Sequence, residues 1–297
     1  MNYVITGSLG HVSKPIVEAL IKANNAVTVI TSKQENVAAI EAIGAKAAVG
    51  SVEDAAFLNK AFAGADAAYL MIPPNFNPKG EWKTYLMSVA DNYVAAVKQH
   101  QIKHVVVLSS VGAHLRNGAG PVDGLGYLEE KLNELSDIHA VYLRPSYFYY
   151  NLFAQIGLLK QAGIFGANYG GKEKLILVDT NDIAAVAIKF LLSLNFTGKL
   201  VEYISTTEVT TDEVAKVLGE AVGKPNTPWV VFTDEQNLEG AIGAGLNKTI
   251  AEGYTEMGNS LRTGKMQEDY WKQGVQPTGN LRLADFAKQF AAAYHAS

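Results

Sequence analysis

The chain has no cysteine, which excludes disulfides, thiolate nucleophiles, Cys-ligated zinc and iron–sulfur clusters together. Its six histidines form no HExxH pattern, and His100 and His104 straddle an expected helix-to-strand junction, so no metal site is expected. G-x-S-x-G is missing too, which disfavours a serine hydrolase. The longest apolar run, Ile183 to Leu194, is broken by Lys189 and falls short of the ~20 residues a membrane-crossing helix needs. No basic stripe is present and the net charge is −4, so neither nucleic acid nor a membrane surface is expected as a direct partner. Met1 to Thr6 read straight into a strand, without the basic start and apolar stretch of a secretory signal, and a cytoplasmic location is expected.

What is present is a folding composition: 297 residues, 48% hydrophobic and 18% charged. Short β-branched runs at Tyr3–Thr6, Val27–Thr31, Ala45–Val49, Ala67–Ile72, Val105–Leu108 and Val141–Leu143 alternate with amphipathic segments. That alternation predicts an α/β fold, a doubly wound parallel sheet with helices on both faces. Val12, Ile16, Ala19, Leu20 and Ala23 give the first helix one apolar stripe. Leu125, Leu128, Leu132 and Leu135 do the same later, with Glu130 and Glu134 facing water. After Pro145 the regularity weakens. A helix is expected over Ile183 to Leu194, another opens at the capping box Thr210-Thr211-Asp212-Glu213, and the last runs from Leu283 to Tyr294. The Gly-rich stretch from Thr233 to Gly279 carries no clear period. Residues 1–150 are therefore read as one domain, to which a segment near 175–205 returns, and 151–297 mostly as a smaller C-terminal α/β lobe.

Directly after the first strand comes Gly7-Ser8-Leu9-Gly10-His11-Val12-Ser13, leading into the first helix. A phosphate needs a tight turn without an obstructing Cβ and the free amides of a helix N-terminus, and this placement supplies both. A dinucleotide site built on Gly7, Ser8, Leu9, Gly10, His11 and Val12 is expected, against the alternative of a plain structural turn. Beyond the second strand, Thr31, Ser32 and Lys33 offer two hydroxyls and an ammonium, which suit the extra phosphate of NADP. NAD stays possible if Glu35 or the backbone serves the ribose.

The chain resembles the NmrA-like branch of the atypical short-chain dehydrogenases over nearly its whole length. The resemblance rests on Thr6 to Pro15, Val107-Leu108-Ser109-Ser110-Val111-Gly112, Leu143-Arg144-Pro145-Ser146-Tyr147-Phe148, Val178-Asp179-Thr180-Asn181-Asp182-Ile183-Ala184 and Pro277-Thr278-Gly279. It implies an NAD(P)-binding Rossmann domain, a small C-terminal substrate lobe and a cleft between them. It further implies that Met71, Ile72 and Pro73, with Tyr147 and Phe148, line the cofactor's path. Two positions depart from the family: Ser13 replaces the third glycine, and Ser51 stands where an acidic residue often follows the third strand.

Short-chain dehydrogenases transfer hydride with a Tyr-x-x-x-Lys pair and a serine. Tyr127 and Lys131 have that spacing, one helical turn apart, so the lysine could lower the phenol toward the working range and hold the nicotinamide ribose. About one such pair is expected by chance in this composition, and the branch often lacks the tyrosine. Ser109 and Ser110 end the fifth strand at the carboxyl edge, where open α/β sheets bind ligands. Ser110, Tyr127 and Lys131 are the expected catalytic set, with Ser109 and Lys131 also touching the cofactor. Lys131 as a ribose ligand without chemistry, or an ordinary amphipathic helix, are the alternatives.

The segment His114–Gly126 carries Gly118, Gly120, Gly124 and Gly126, freedom enough to close over a substrate or simply to move as a surface loop. Tyr147, Phe148, Tyr149, Tyr150 and Phe153 form either an aromatic substrate wall or core. The expected function is NADPH-dependent reduction of a small carbonyl, quinone or related conjugated acceptor, the quinone class coming from the resemblance alone. The substrate would be a small molecule, aromatic or apolar. The alternative is a non-catalytic NAD(P)-binding redox sensor that acts through a protein partner.

Overall fold

A computed structural model describes residues 1–171 and 173–297. Strands and helices alternate through the first half: β1 (Asn2–Ile5), α1 (Ser13–Lys22), β2 (Ala26–Thr31), α2 (Val37–Ala42), β3 (Lys46–Val49), α3 (Ala55–Phe62), β4 (Ala67–Leu70), α4 (Trp82–Gln99), β5 (His104–Leu108), α5 (Val122–Asn133) and β6 (His139–Pro145). There follow β7 (Tyr147–Phe148), α6 (Gln155–Ala162), β8 (Phe165–Ala167), β9 (Lys174–Val178), α7 (Thr180–Ser193), β10 (Lys199–Ile204), β11 (Thr207–Thr210) and α8 (Thr211–Ala221). The chain ends with β12 (Trp229–Val231), α9 (Asp234–Gly243), α10 (Lys248–Arg262), α11 (Glu268–Lys272) and α12 (Leu283–Ala296).

Seven strands form one parallel sheet in the order β10-β6-β5-β4-β1-β2-β3. The order reverses between β1 and β4, and a crevice opens outside the carboxyl ends at such a switch point. Successive residues of a strand face opposite sides, so each face has its own core. Tyr3 and Ile5 of β1 pack with Ile16, Val17 and Leu20 of α1 and Ile183, Ala187 and Leu191 of α7. Val4, between them, points the other way, into Phe62, Val89, Tyr93 and Leu128 of α3, α4 and α5. Both faces are covered, as near-continuous apolar strands require. This is the Rossmann-type fold expected from the sequence.

All six expected strands are present. The fourth stops at Leu70 instead of Ile72, because the next amide leaves the ladder: Met71 N–H donates to the Thr6 hydroxyl at 2.7 Å. α7 and β10 return to the large sheet, β10 adding a seventh strand beside β6. A third core lies away from the sheet, where Leu218 of α8 and Phe286 and Phe290 of α12 meet Phe165 and Trp229. The capping box forms as expected, Thr210 Oγ1 accepting from Glu213 N–H at 3.2 Å while Glu213 accepts from Thr210 N–H at 2.7 Å.

The stretch without a period, 233–279, holds α9, α10 and α11. The C-terminal part of the expected glycine loop is helix. Gly124 and Gly126 lie inside α5, where a Cβ would fall 2.5 Å from Leu86 Cβ and 2.4 Å from Ala113 O respectively. The buried Asp123 carboxylate accepts from the amides of Gly118 and Ala119 and pairs with Lys83 at 2.8 Å. Gly124 and Gly126 permit close packing. Among the described residues no helix is long and apolar enough to cross a membrane.

Candidate functional site

The glycine turn leaves three of its amides open among the described residues. Gly7 sits at φ +87°, and a Cβ there would lie 2.9 Å from Ser13 Oγ and 3.3 Å from Met71 Sδ. Ser8 also takes a positive φ, of 55°. The Ser8, Gly10 and Lys14 amides donate to Ile30 O, Gly7 O and Gly10 O, whereas those of Leu9, His11 and Val12 have no acceptor among the described residues. No side chain caps α1 and no acidic residue occupies its first turn. Open amides and an uncompensated helix dipole are what a diphosphate requires. Ser13, the departure from the third glycine, is buried and donates to Thr6 O at 3.1 Å, so it closes the turn instead of obstructing it. The His11 ring stands 4.4 Å from that of Tyr150, over the same turn.

Beside the turn, a cavity of about 400 Å³ is lined by Gly7, Ser8, Thr31, Ser32, Lys33 and Met71, among others. Its floor is a small hydroxyl network. Thr31 Oγ1 accepts from Ser8 Oγ at 3.2 Å and Asn36 Nδ2 at 3.0 Å, and Asn36 Nδ2 also donates to Ser8 Oγ at 3.1 Å. Lys33 stands exposed above it, 3.3 Å from Glu35. Ser51 lines this cavity and caps its own loop, its hydroxyl accepting from Glu53 N–H at 3.1 Å.

A second cavity, of about 260 Å³, continues along the carboxyl edge; Met71 and Pro74 belong to both. Ile72, Ser109, Ser110, Tyr147 and Phe148 line it from the sheet side, and Met257 and Leu261 of α10 close it from above. No charged side chain contributes to it among the described residues. Its borders are held firmly: Tyr93 OH donates to Met71 O at 2.9 Å and Tyr85 OH to Pro73 O at 3.0 Å. α10 reaches this position because Gly253 meets Gly120 backbone to backbone, a Cβ on Gly120 falling 2.0 Å from Gly253 O.

Two cavities thus join at the switch point, one polar beside a glycine turn and one apolar. Residues 7–192 match the NAD(P)H-binding family. The chain belongs to that family. An NAD(P)H azoreductase from Xenophilus azovorans is 23% identical over 99% of both chains. Among solved structures, an NADPH-dependent quinone oxidoreductase from Escherichia coli, crystallised with NADPH, superposes with a TM-score of 0.77 at 20% identity, covering 97% of this chain and 99% of that one. A triphenylmethane reductase from Citrobacter sp. complexed with NADP(H) gives 0.75 at 20% identity over 97% and 99%. The resemblance to the NmrA-like atypical short-chain dehydrogenases is upheld.

Within this NAD(P)H-binding chain the expected catalytic set does not assemble. Ser110 lines the apolar cavity, its hydroxyl donating to Val111 O at 2.9 Å. Tyr127 and Lys131 do not line it. Tyr127 OH instead donates to Asp91 Oδ1 of α4 at 3.0 Å, and Lys131 pairs with Glu134 at the end of α5 at 2.9 Å. Burial and the Asp91 carboxylate raise the Tyr127 phenol, and Lys131 offsets them only in part. The spacing is right, but the helix phase points outward, so neither the acid nor the ribose anchor is where it was expected.

The face of α5 that does meet the sheet carries Glu129. Arg144 Nε and Nη2 donate to its two oxygens at 3.0 and 2.6 Å, and Ser109 Oγ donates to Oε1 at 2.5 Å. Burial disfavours the Arg144 charge, but Glu129 outweighs it and raises the guanidinium above its ordinary value. Arg144 also reaches Tyr203 at 2.9 Å and Asp269 at 3.2 Å. This network, which sequence reading missed, fixes the end of β5 and hence Ser109 and Ser110. Asn36 was missed as well, since no motif marks an amide whose job is to hold two hydroxyls. Of the aromatic run, Tyr147 and Phe148 face the cavity while Tyr149 and Phe153 pack in the third core.

Proposed function

We propose that the chain is an NADPH-dependent reductase of apolar, conjugated acceptors such as quinones and azo compounds, with residues 1–150 and the returning segment 175–205 as dinucleotide domain and most of 151–297 as substrate lobe. The observation that carries this reading is the uncharged, apolar cavity at the carboxyl edge, opening at Met71 and Pro74 onto the dinucleotide cleft. The Leu9, His11 and Val12 amides would hold the diphosphate, Ser32 and Lys33 the adenosine-side phosphate, and Met71, Ile72, Ser109, Tyr147 and Phe148 the nicotinamide end. When bound, the reduced nicotinamide supplies hydride.

The chain's own part is to exclude water and orient a flat acceptor between Phe148 and the α10 side chains Met257 and Leu261. Ser110 would polarise the acceptor's heteroatom once its hydroxyl turns from Val111 O. A simple carbonyl leaves an alkoxide about as basic as hydroxide and depends on a positioned acid. A quinone spreads the charge and leaves a phenolate-like anion near ~10. No lysine-tuned phenol faces this cavity, which favours the conjugated class. NADPH consumption with quinone, azo and aldehyde panels tests the proposal. Faster turnover of conjugated acceptors is expected. Tight NADPH binding without turnover of any acceptor overturns it in favour of a binding-only redox sensor.

A further inference from the structure

One phenol does border the apolar cavity. Tyr147 belongs to β7, which pairs with Leu177 and Val178 of β9, so its backbone is held beside the cleft. Its oxygen accepts a hydrogen bond from Tyr169 OH at 3.1 Å, and the two rings meet edge to face at 6.2 Å. Tyr169 is only 9% exposed, and Trp229 Nε1–H donates to its carbonyl oxygen at 2.9 Å, so the donor is locked in place. Among the described residues the Tyr147 O–H itself has no acceptor. The hydroxyls of Ser109 and Ser146 are each turned to a protein oxygen, as is that of Ser110.

We infer that Tyr147 is the proton donor of the proposed reductase, with Tyr169 as the positioning residue that holds its oxygen and stabilises the phenolate it becomes. This rests on the reductase reading and adds the acid which that reading left unassigned. Hydride brings two electrons and one hydrogen to the acceptor, and negative charge collects on its oxygen or nitrogen. The Tyr147 O–H bond breaks as a new O–H or N–H bond forms on that atom. The phenolate takes its proton back from water once product leaves. Burial raises the Tyr147 phenol and the hydrogen bond from Tyr169 works against that rise, so the donor is a weak acid. A weak acid serves strongly basic anions, such as those left by azo groups and aldehydes, and adds little for a hydroquinone anion of comparable basicity.

The test is Tyr147→Phe, which keeps the ring, assayed with a quinone, an azo dye and an aldehyde. A fall of about a hundredfold in kcat with azo dye or aldehyde, the size of a lost general acid, is expected beside a clearly smaller fall with the quinone. An equal fall on all three acceptors would mean a packing effect and overturn the assignment, as would no fall on any. A wild-type protein that binds NADPH and reduces nothing would instead sink the reductase reading itself. A second measurement needs no turnover: tyrosinate absorbance is titrated in the cofactor-free protein. Tyr169→Phe should move one phenol to higher pH, and Tyr147→Phe should remove that same transition. A titration curve that Tyr169→Phe leaves unaltered would overturn the positioning role.

Discussion

Arg144 and Glu129 meet through two parallel hydrogen bonds in a place where their side chains are 7% and 2% exposed. Both charges would be costly alone, and each removes the other's penalty. Arg144→Met or Glu129→Leu should therefore destabilise the fold by about 3–5 kcal/mol, as removal of one buried partner does. The double variant should lose clearly less than the sum. Urea unfolding measures all three, and single variants as stable as wild type would refute the expectation.

Tyr127 bonds to Asp91 of α4 and Lys131 pairs with Glu134, and neither lines the apolar cavity. Tyr127→Phe and Lys131→Ala should leave quinone turnover within about twofold of wild type, the range of surface substitutions. Steady-state kinetics decides. A large loss from either would return the pair to the chemistry.

Cofactor choice is expected to rest on Lys33. Lys33→Ala should weaken NADPH about tenfold, near the worth of one charge-assisted hydrogen bond, and leave NADH within about twofold. Glu35→Gln should act oppositely, because it frees the ammonium now 3.3 Å from that carboxylate. Calorimetric titration of both dinucleotides reads the shift, and an unchanged preference in Lys33→Ala means NADP recognition lies elsewhere.

Asp234 ties the start of α9 to Arg262, Asn168 and Asn259 at 2.8 to 3.1 Å. Burial pushes this carboxyl up, but Arg262 and the two amides pull it further down, leaving it below its ordinary value. A depressed folded value means the stabilisation is complete above the unfolded carboxyl range, near ~3.9, and fades as pH falls through the still lower folded value. α9 has no buried residue of its own, so its protection should depend on this anchor. Hydrogen exchange should show α9 opening in acid before the sheet does, and in Asp234→Asn at neutral pH. Equal protection in that variant and wild type would contradict this.

The sheet was legible because its strands are apolar on both faces and the glycine turn falls where β1 meets α1. β10 was not, since an edge strand reading Lys-Leu-Val-Glu-Tyr-Ile leaves Leu200 and Val201 40% and 43% exposed and shows no core pattern. α10 stayed hidden for the opposite reason. Its Gly253 and Gly258 mimic a loop, yet a Cβ on Gly258 would lie 1.9 Å from Asn168 Oδ1; contacts remote in sequence, not local preference, dictate these residues. The diphosphate turn could be read from spacing because backbone conformation makes it. Tyr127 and Lys131 could not, because spacing fixes their separation but not which way the helix turns them.

The backbone touch between Gly120 and Gly253 governs what the ceiling of the apolar chamber can do. Since main chain rests on main chain there, α10 has no slack through which to sink toward the sheet, and only outward travel remains. Under the proposed reading, a bulkier acceptor would have to lift the whole helix, so the headroom above Phe148 would be a heritable setting adjusted at two glycines outside the chamber.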